Sequence, residues 1–256
     1  MSLTGKHGLI VGVANKRSIS WAIAQAAQAA GARLALTYPS ERLEENVREL
    51  AAQLEQPLVA PCDVTSDEQI ADLAATIERE FGGLDFLVHG VAFATGDALN
   101  RPFVEASREA FRVTLDVSAY SLVGLTRAVM PLMEKRGGGS VLTLTFLGSD
   151  RVFPNYNVMG VAKAALESSV RYLAADLGPK NIRVNAISAG AIKTLAASGI
   201  SGFSTMLQMY RERAPLRRGV DAAEVAAAAV FLLGPDARAV TGEVLMVDAG
   251  FHAVGV

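Results

Sequence analysis

Seven short, nearly unbroken apolar runs recur along this chain, separated by longer stretches of helical spacing. The runs are GLIVGV from Gly8, RLALTY from Arg33, PLVAP from Pro57, LDFLVH from Leu84, SVLTLTF from Ser140, IRVNAIS from Ile182 and EVLMVD from Glu243. A strand with one wet face alternates apolar and polar residues. These runs hardly alternate, so they predict strands covered on both faces, as in a parallel sheet. The stretches 19–30, 42–54, 67–81, 108–135, 158–177 and 222–233 supply the covering helices. Strand and helix in turn predict a single α/β domain over residues 1–256. Its form is a Rossmann-like, doubly wound parallel sheet of about seven strands with helices on both faces.

Within that pattern, Ser66 and Gln69 have the spacing of a capping box for the helix that follows. No internal repeat, low-complexity segment or Pro-rich linker interrupts the chain. One long irregular stretch runs from Ala189 to about Phe203, and loops of that length in a compact domain tend to be functional or mobile. A mobile segment is therefore expected around 191–212, where Gly199 and Gly202 could let the chain open and close.

Composition narrows the function. The chain is 51% hydrophobic over 256 residues, enough for one sizeable core. A formal charge of −2 offers no basic surplus for nucleic acid or an anionic membrane. Cys62 is the one cysteine, so no internal disulfide can form, which fits a reducing compartment. No apolar run reaches the ~18 residues of a membrane span. The N-terminus enters a strand-like run without a signal-peptide pattern, so a cytoplasmic location is expected. His7, His89 and His252 share no metal-like spacing, and no metal centre is expected.

Open parallel sheets bind ligands beyond the carboxyl ends of their strands. After the first run comes GVANKRSIS, in which Gly12 permits a tight turn and the next helix start can hold a pyrophosphate. It is not GxGxxG, because Ser18 and Ile19 stand where later glycines would be; an ordinary strand-to-helix turn is the alternative. After the second run, TYPSER has no acid at Pro39 or Ser40 to hold ribose hydroxyls. Glu41 and Arg42 are the nearest charges, and Arg42 suits a 2′-phosphate, which leaves NAD and NADP both open. After the third run, Asp63 could bond an adenine amino group while Val64 packs on the ring, or Asp63 could cap the next helix. After the fourth, HGVAFA is small and apolar, so Val91 and Ala94 suit close approach to a flat ring.

After the fifth run comes RVFPNYNVMGVAKAALE, where Asn155 or Asn157 can cap a helix next to Pro154. Tyr156 and Lys163 are seven apart. At ~100° per residue they return to one helical face about 10 Å apart along the axis, so both could meet one ligand at different depths. A surface tyrosine and lysine in chance register is the alternative.

The set Gly12…Ser18-Ile19, Asp63-Val64, Tyr156-x6-Lys163 and RVNAISAGAIKTLAASGI resembles the bacterial and plastid enoyl-acyl-carrier-protein reductases. These form a divergent branch of the short-chain dehydrogenase/reductase superfamily, and the resemblance covers residues 3–255. Ordinary members of the superfamily carry Tyr-x3-Lys, but residue 160 here is Gly.

The resemblance implies an NADH-dependent enzyme, with NADPH as the alternative. It would reduce the C2=C3 bond of trans-2-enoyl thioesters on an acyl carrier protein, in the last step of the fatty acid elongation cycle. It gives Lys163 to the nicotinamide ribose, Tyr156 to the thioester carbonyl, and Ile192 and Thr194 to the nicotinamide amide and phosphates. It places Phe146 where many members have an outer tyrosine; a phenyl ring cannot donate a hydrogen bond there. Met159, Ile200, Phe203, Met206 and Met209 could line an acyl tunnel with Ala94, or simply pack the core. Arg151, Lys193 or Arg211 could receive the acidic carrier. A homotetramer is implied, with the two longest apolar helices as the interface. A carbonyl reductase of the same superfamily and a non-catalytic dinucleotide sensor are the rival readings.

Overall fold

The computed structural model describes residues 2–194, 197 and 201–255. Among them, seven strands form one sheet: β1 (His7–Val11), β2 (Arg33–Tyr38), β3 (Leu58–Pro61), β4 (Phe86–His89), β5 (Gly139–Thr145), β6 (Ile182–Ala189) and β7 (Val244–Val247). Their order is β3-β2-β1-β4-β5-β6-β7, and every pairing is parallel.

The unbroken apolar runs have the expected cause. Successive strand residues enter opposite cores. Leu9, Val11, Ala35, Leu87, Val141 and Val184 belong to one, and Ile10, Leu34, Leu36, Val88, Leu142 and Ile187 to the other. Helices α1 (Ile19–Ala29) and α2 (Glu41–Ala51) bring Ile23, Ala27, Val47 and Leu50 to the second core. Helix α3 (Asp67–Phe81) brings Leu73 and Ile77 to the first. The chain leaves the sheet at the β3 edge and re-enters at β4, beside β1. That reversal opens the crevice past β1 and β4 where such sheets take ligands.

Local features depart from the sequence reading in instructive ways. Ser66 does accept from the Gln69 N–H, capping α3, but the Gln69 side chain accepts from the Asp63 N–H instead of closing the box. A five-residue helix, α4 (Gly96–Asn100), follows β4 and is too short to leave a periodic signal. The single helix expected over 108–135 is three pieces: α5 (Arg108–Leu115), a π-helical turn (Asp116–Tyr120) and α6 (Ser121–Glu134). The wide turn is tied by serines. The Ser118 hydroxyl accepts from the Phe93 N–H and donates to its carbonyl, and Ser121 Oγ donates to the Val117 carbonyl.

Helix α7 (Asn157–Leu177) carries Leu166 and Val170 into the core under the sheet. Neither Asn155 nor Asn157 caps it. Their amides donate elsewhere, Asn155 to the Ser201 carbonyl and Asn157 to the carbonyls of Leu99 and Arg101. Both asparagines have positive φ, a conformation their residue type tolerates, so the start of α7 is bent to meet two loops. Helix α8 (Phe203–Arg213) forms where the sequence offers a weak stripe, burying Met206 and Tyr210 one turn apart. Helix α9 (Ala222–Leu233) begins with a full capping box between Asp221 and Glu224 and packs against α1.

Candidate active site

The crevice is made by two glycines in backbone contact. Gly12, past β1, has φ +100°, and a β-carbon there would lie 2.2 Å from the Gly90 carbonyl oxygen. At Gly90, past β4, a β-carbon would lie 1.9 Å from Ser20 Oγ and 3.1 Å from the Val11 carbonyl oxygen, so Ser20 would have to turn away. Any side chain at Gly12 would force the two loops apart. Ser18 shapes the turn between them: its Oγ accepts from the N–H groups of Ala14 and Asn15, both at 3.1 Å. It stands at the N-cap of α1 but gives its hydroxyl to the loop. Ile19, the first residue of α1, packs against the core. No acidic residue occupies the first turn of α1, so its N–H groups keep their attraction for an anion. Without the second and third fingerprint glycines, this chain still builds a cradle that fits a pyrophosphate.

The other strand ends converge on the same edge of the sheet. Asp63 does not cap α3; its Oδ1 accepts from the N–H and hydroxyl of Thr65, a tight local turn. Val64 is buried in the core cluster, with Val91 packed against that cluster from past β4. Glu41 and Arg42 are exposed at the start of α2. Ile192 packs on the core beyond β6, and the Thr194 hydroxyl accepts from the Ala197 N–H.

Tyr156 and Lys163 both point inward, at 7% and 6% exposure, which removes the reading of a surface coincidence. Lys163 Nζ donates to the Leu144 carbonyl at 2.7 Å, on β5. Burial pulls its pKa down from 10.5 to about 8, against the opposing charge of Glu167. Burial, helped by Glu167 and Tyr210, pushes the Tyr156 phenol well above its ordinary value, so it stays protonated. Among the described residues its hydroxyl has no hydrogen-bond partner. The ring lies on Gly148, where a β-carbon would come within 2.5 Å of it. Gly160, one turn along α7, faces the same backbone: a β-carbon there would be 2.7 Å from the Gly148 carbonyl oxygen. A lysine at 160 would have to begin with that clash.

Around the phenol lies a separate apolar cluster. Met159, Met206, Phe203 and Ala94 belong to it or pack against it, and so does Met209. Phe146 meets Tyr156 edge-on, ring centroids 5.1 Å apart, and Phe153 at 4.8 Å. Ile200 and Gly199 lie outside the described residues. Gly202 is the N-cap of α8, with φ +80°. Arg151, a candidate for meeting a carrier, is engaged at the other end of the chain, donating to the carbonyls of His252 and Val254. Lys193 and Arg211 are exposed. His89 is fully buried, its ring nitrogens 2.9 and 2.8 Å from the hydroxyls of Thr143 and Ser121. Burial and the Lys163 charge hold it neutral, with a pKa of about 3, so it is a structural member of the wall.

Sequence reading does not single out Gly90, Gly148, Thr145 or Glu167. The glycines matter through loops that meet only in space, so no local spacing marks them. Glu167 does carry a signal, since it follows Lys163 by one helical turn on the same face.

A family model described as enoyl-(acyl carrier protein) reductase matches residues 12–252. The enoyl-[acyl-carrier-protein] reductase [NADH] of Bacillus cereus is 51% identical over 255 residues, covering 99% of each chain. The B. cereus reductase solved with NADP+ and indole naphthyridinone superposes with a TM-score of 0.97 at 50% identity, over 100% of both chains. The reductase of Anaplasma phagocytophilum solved with NAD gives 0.95 at 46% identity, over 99% of this chain and 96% of that one.

Proposed function

The chain belongs to the enoyl-(acyl carrier protein) reductase family, and from that premise we propose how its residues divide the work. It is an NADH-dependent oxidoreductase that reduces the C2=C3 bond of trans-2-enoyl thioesters carried by acyl carrier protein, the closing reduction of fatty acid elongation. When bound, the reduced nicotinamide supplies hydride to C3, and negative charge gathers on the thioester oxygen.

The pyrophosphate rests on the N–H groups of the Gly12 turn and the start of α1, shaped by Ser18 and Ile19. Asp63 and Val64 meet the adenine, and Val91, Ile192 and Thr194 border the nicotinamide. Lys163 keeps one N–H on the Leu144 carbonyl and would donate the other two to the ribose hydroxyls. Tyr156 donates to the thioester oxygen. Its raised pKa suits that task, since a neutral phenol donates at the atom where charge develops. Ala94, Met159, Ile200, Phe203 and Met206 border the acyl chain.

One observation carries this reading over carbonyl reduction. Tyr156, at the N-cap of α7, and Lys163, within it, are both buried at a seven-residue spacing, while Gly160 abuts the Gly148 backbone and leaves no room for a nearer lysine. Reducing a ketone puts hydride on the carbon bearing the oxygen, whereas reducing a conjugated C=C puts it two carbons beyond. The donor must then stand further from the nicotinamide, and one helical turn supplies ~5.4 Å. Mixing the protein with crotonyl thioester and NADH is expected to consume the reduced-nicotinamide absorbance. Turnover of a β-ketoacyl thioester in place of the crotonyl one would overturn the assignment.

The same helices suit assembly as a homotetramer. Tyr172 is 74% exposed on α7, and a groove between α6 and α7 is lined by Val123, Ala165 and Leu173. An unassembled chain would leave that apolar surface in water. A sedimentation mass of four chains is the expected result; a monomer would remove the proposal.

A further inference from the structure

We propose that Glu167, pinned by Thr145, is the fixed counter-charge that keeps Lys163 protonated for the cofactor ribose. Both are positioning residues, since they act through Lys163; the inference rests on the cofactor role given to Lys163 above. The geometry is a clamp built from two consecutive strand residues. Leu144 offers its carbonyl to Lys163 Nζ at 2.7 Å. Thr145, the next residue and the last of β5, donates its hydroxyl to Glu167 Oε1 at 2.5 Å. Lys163 and Glu167 lie one turn apart on one face of α7. One end of β5 therefore holds the base through its main chain and the acid through a side chain.

The need for such a carboxylate is physical. An ammonium 6% exposed among apolar side chains loses most of its hydration. Among the described residues its one hydrogen bond is to a neutral carbonyl. Glu167 is the group whose charge opposes that loss, and it also pushes the Tyr156 phenol upward. The same carboxylate thus favours a charged lysine and a neutral tyrosine, the two states the proposed roles require. The other titratable neighbours do not substitute for it. His89, on β4, is buried and neutral between Thr143 and Ser121, and Tyr156 is a neutral phenol.

A bond between a strand end and a helix could instead be only a structural pin, and pH separates the two. The sign is fixed: removing a negative charge lowers the pKa of Lys163, so the lysine loses its proton at lower pH. The experiment follows NADH binding by nicotinamide fluorescence across pH, on the full chain. Wild type is expected to lose affinity as pH rises through about 8. In Glu167→Gln that fall should begin about one pH unit lower, the size of effect a nearby opposite charge exerts. Thr145→Val should shift it the same way by less, and Thr145→Ser should restore the wild-type curve. The alkaline limb of kcat/KM for crotonyl thioester should move in parallel.

Curves for Glu167→Gln and Thr145→Val that superimpose on wild type after scaling would overturn the proposal and leave a pin. Should Glu167→Gln fail to fold, the near-isosteric Thr145→Val carries the same two outcomes. Lys163→Met distinguishes failure of the premise. If that variant binds NADH as wild type does at every pH, the ribose role itself is wrong, whatever Glu167 does.

Discussion

Tyr156→Phe is expected to lower kcat for a crotonyl thioester by about 100-fold, the usual effect of deleting one donor to a developing oxyanion. Folding should be spared. The hydroxyl has no hydrogen-bond partner among the described residues, and the ring keeps its seat on Gly148 and its edge-on contact with Phe146. NADH affinity should hold as well, because Lys163 keeps its place on the Leu144 carbonyl. The loss should therefore fall on kcat with little change in cofactor binding. Phe146→Tyr, which adds a hydroxyl to the neighbouring ring, is expected to change activity by much less. Equal effects from the two substitutions would show that Tyr156 is not the main donor to the thioester oxygen. Steady-state kinetics with both variants, beside a thermal melt, decide the matter.

The second large effect comes from trying to restore the superfamily's shorter spacing. Gly160→Lys creates Tyr-x3-Lys on α7. It should not yield a carbonyl reductase. A β-carbon at 160 lies 2.7 Å from the Gly148 carbonyl oxygen, a backbone atom that cannot swing aside. Relief requires α7 and the loop after β5 to separate, and that loop is the surface on which the tyrosine ring rests. Overpacking of this kind costs about 1–3 kcal/mol, and at this chain length each kcal/mol lowers Tm by about 2–4 °C. Crotonyl reduction should fall by about two orders of magnitude or more, since small displacements of catalytic groups cost that much. Gly160→Ala should lower Tm and activity in the same direction, by less. Appearance of β-ketoacyl reduction in Gly160→Lys, with Tm unchanged, would mean the contact with Gly148 does not set the spacing.

The difference between these two substitutions marks what could be read from the chain. The parallel sheet was legible because burial on both faces removes polar residues from every strand, a pattern that Leu9 and Ile10 show side by side. Tyr156 and Lys163 were legible because helix periodicity makes a seven-residue interval a shared face. Gly148 was not, since its constraint is the Tyr156 ring eight residues on, and that contact depends on how the loop after β5 folds back onto α7. Asn155 and Asn157 looked like caps because asparagine usually is one there, yet tertiary contacts to Ser201, Leu99 and Arg101 took their amides. The break at Asp116–Tyr120 was hidden because all the residues of 108–135 are compatible with one helix, and only the partners of Ser118 and Ser121 reveal the wide turn.

That wide turn makes chain length itself a constraint on the site. A π-helical turn holds one residue more than the α-helix around it would need. Deleting a residue such as Ala119 would let 108–134 close into a continuous helix, a local gain in regularity. It would also cut the interval between Ser118 and Ser121 from three residues to two, turning the two hydroxyls by ~100° relative to each other. Ser118 and Ser121 could then no longer serve Phe93 and His89 together, and the loop past β4 would lose its anchor. Substitutions can be absorbed in this stretch, but a change in residue count cannot, so natural variation here should run to replacements and leave the register untouched.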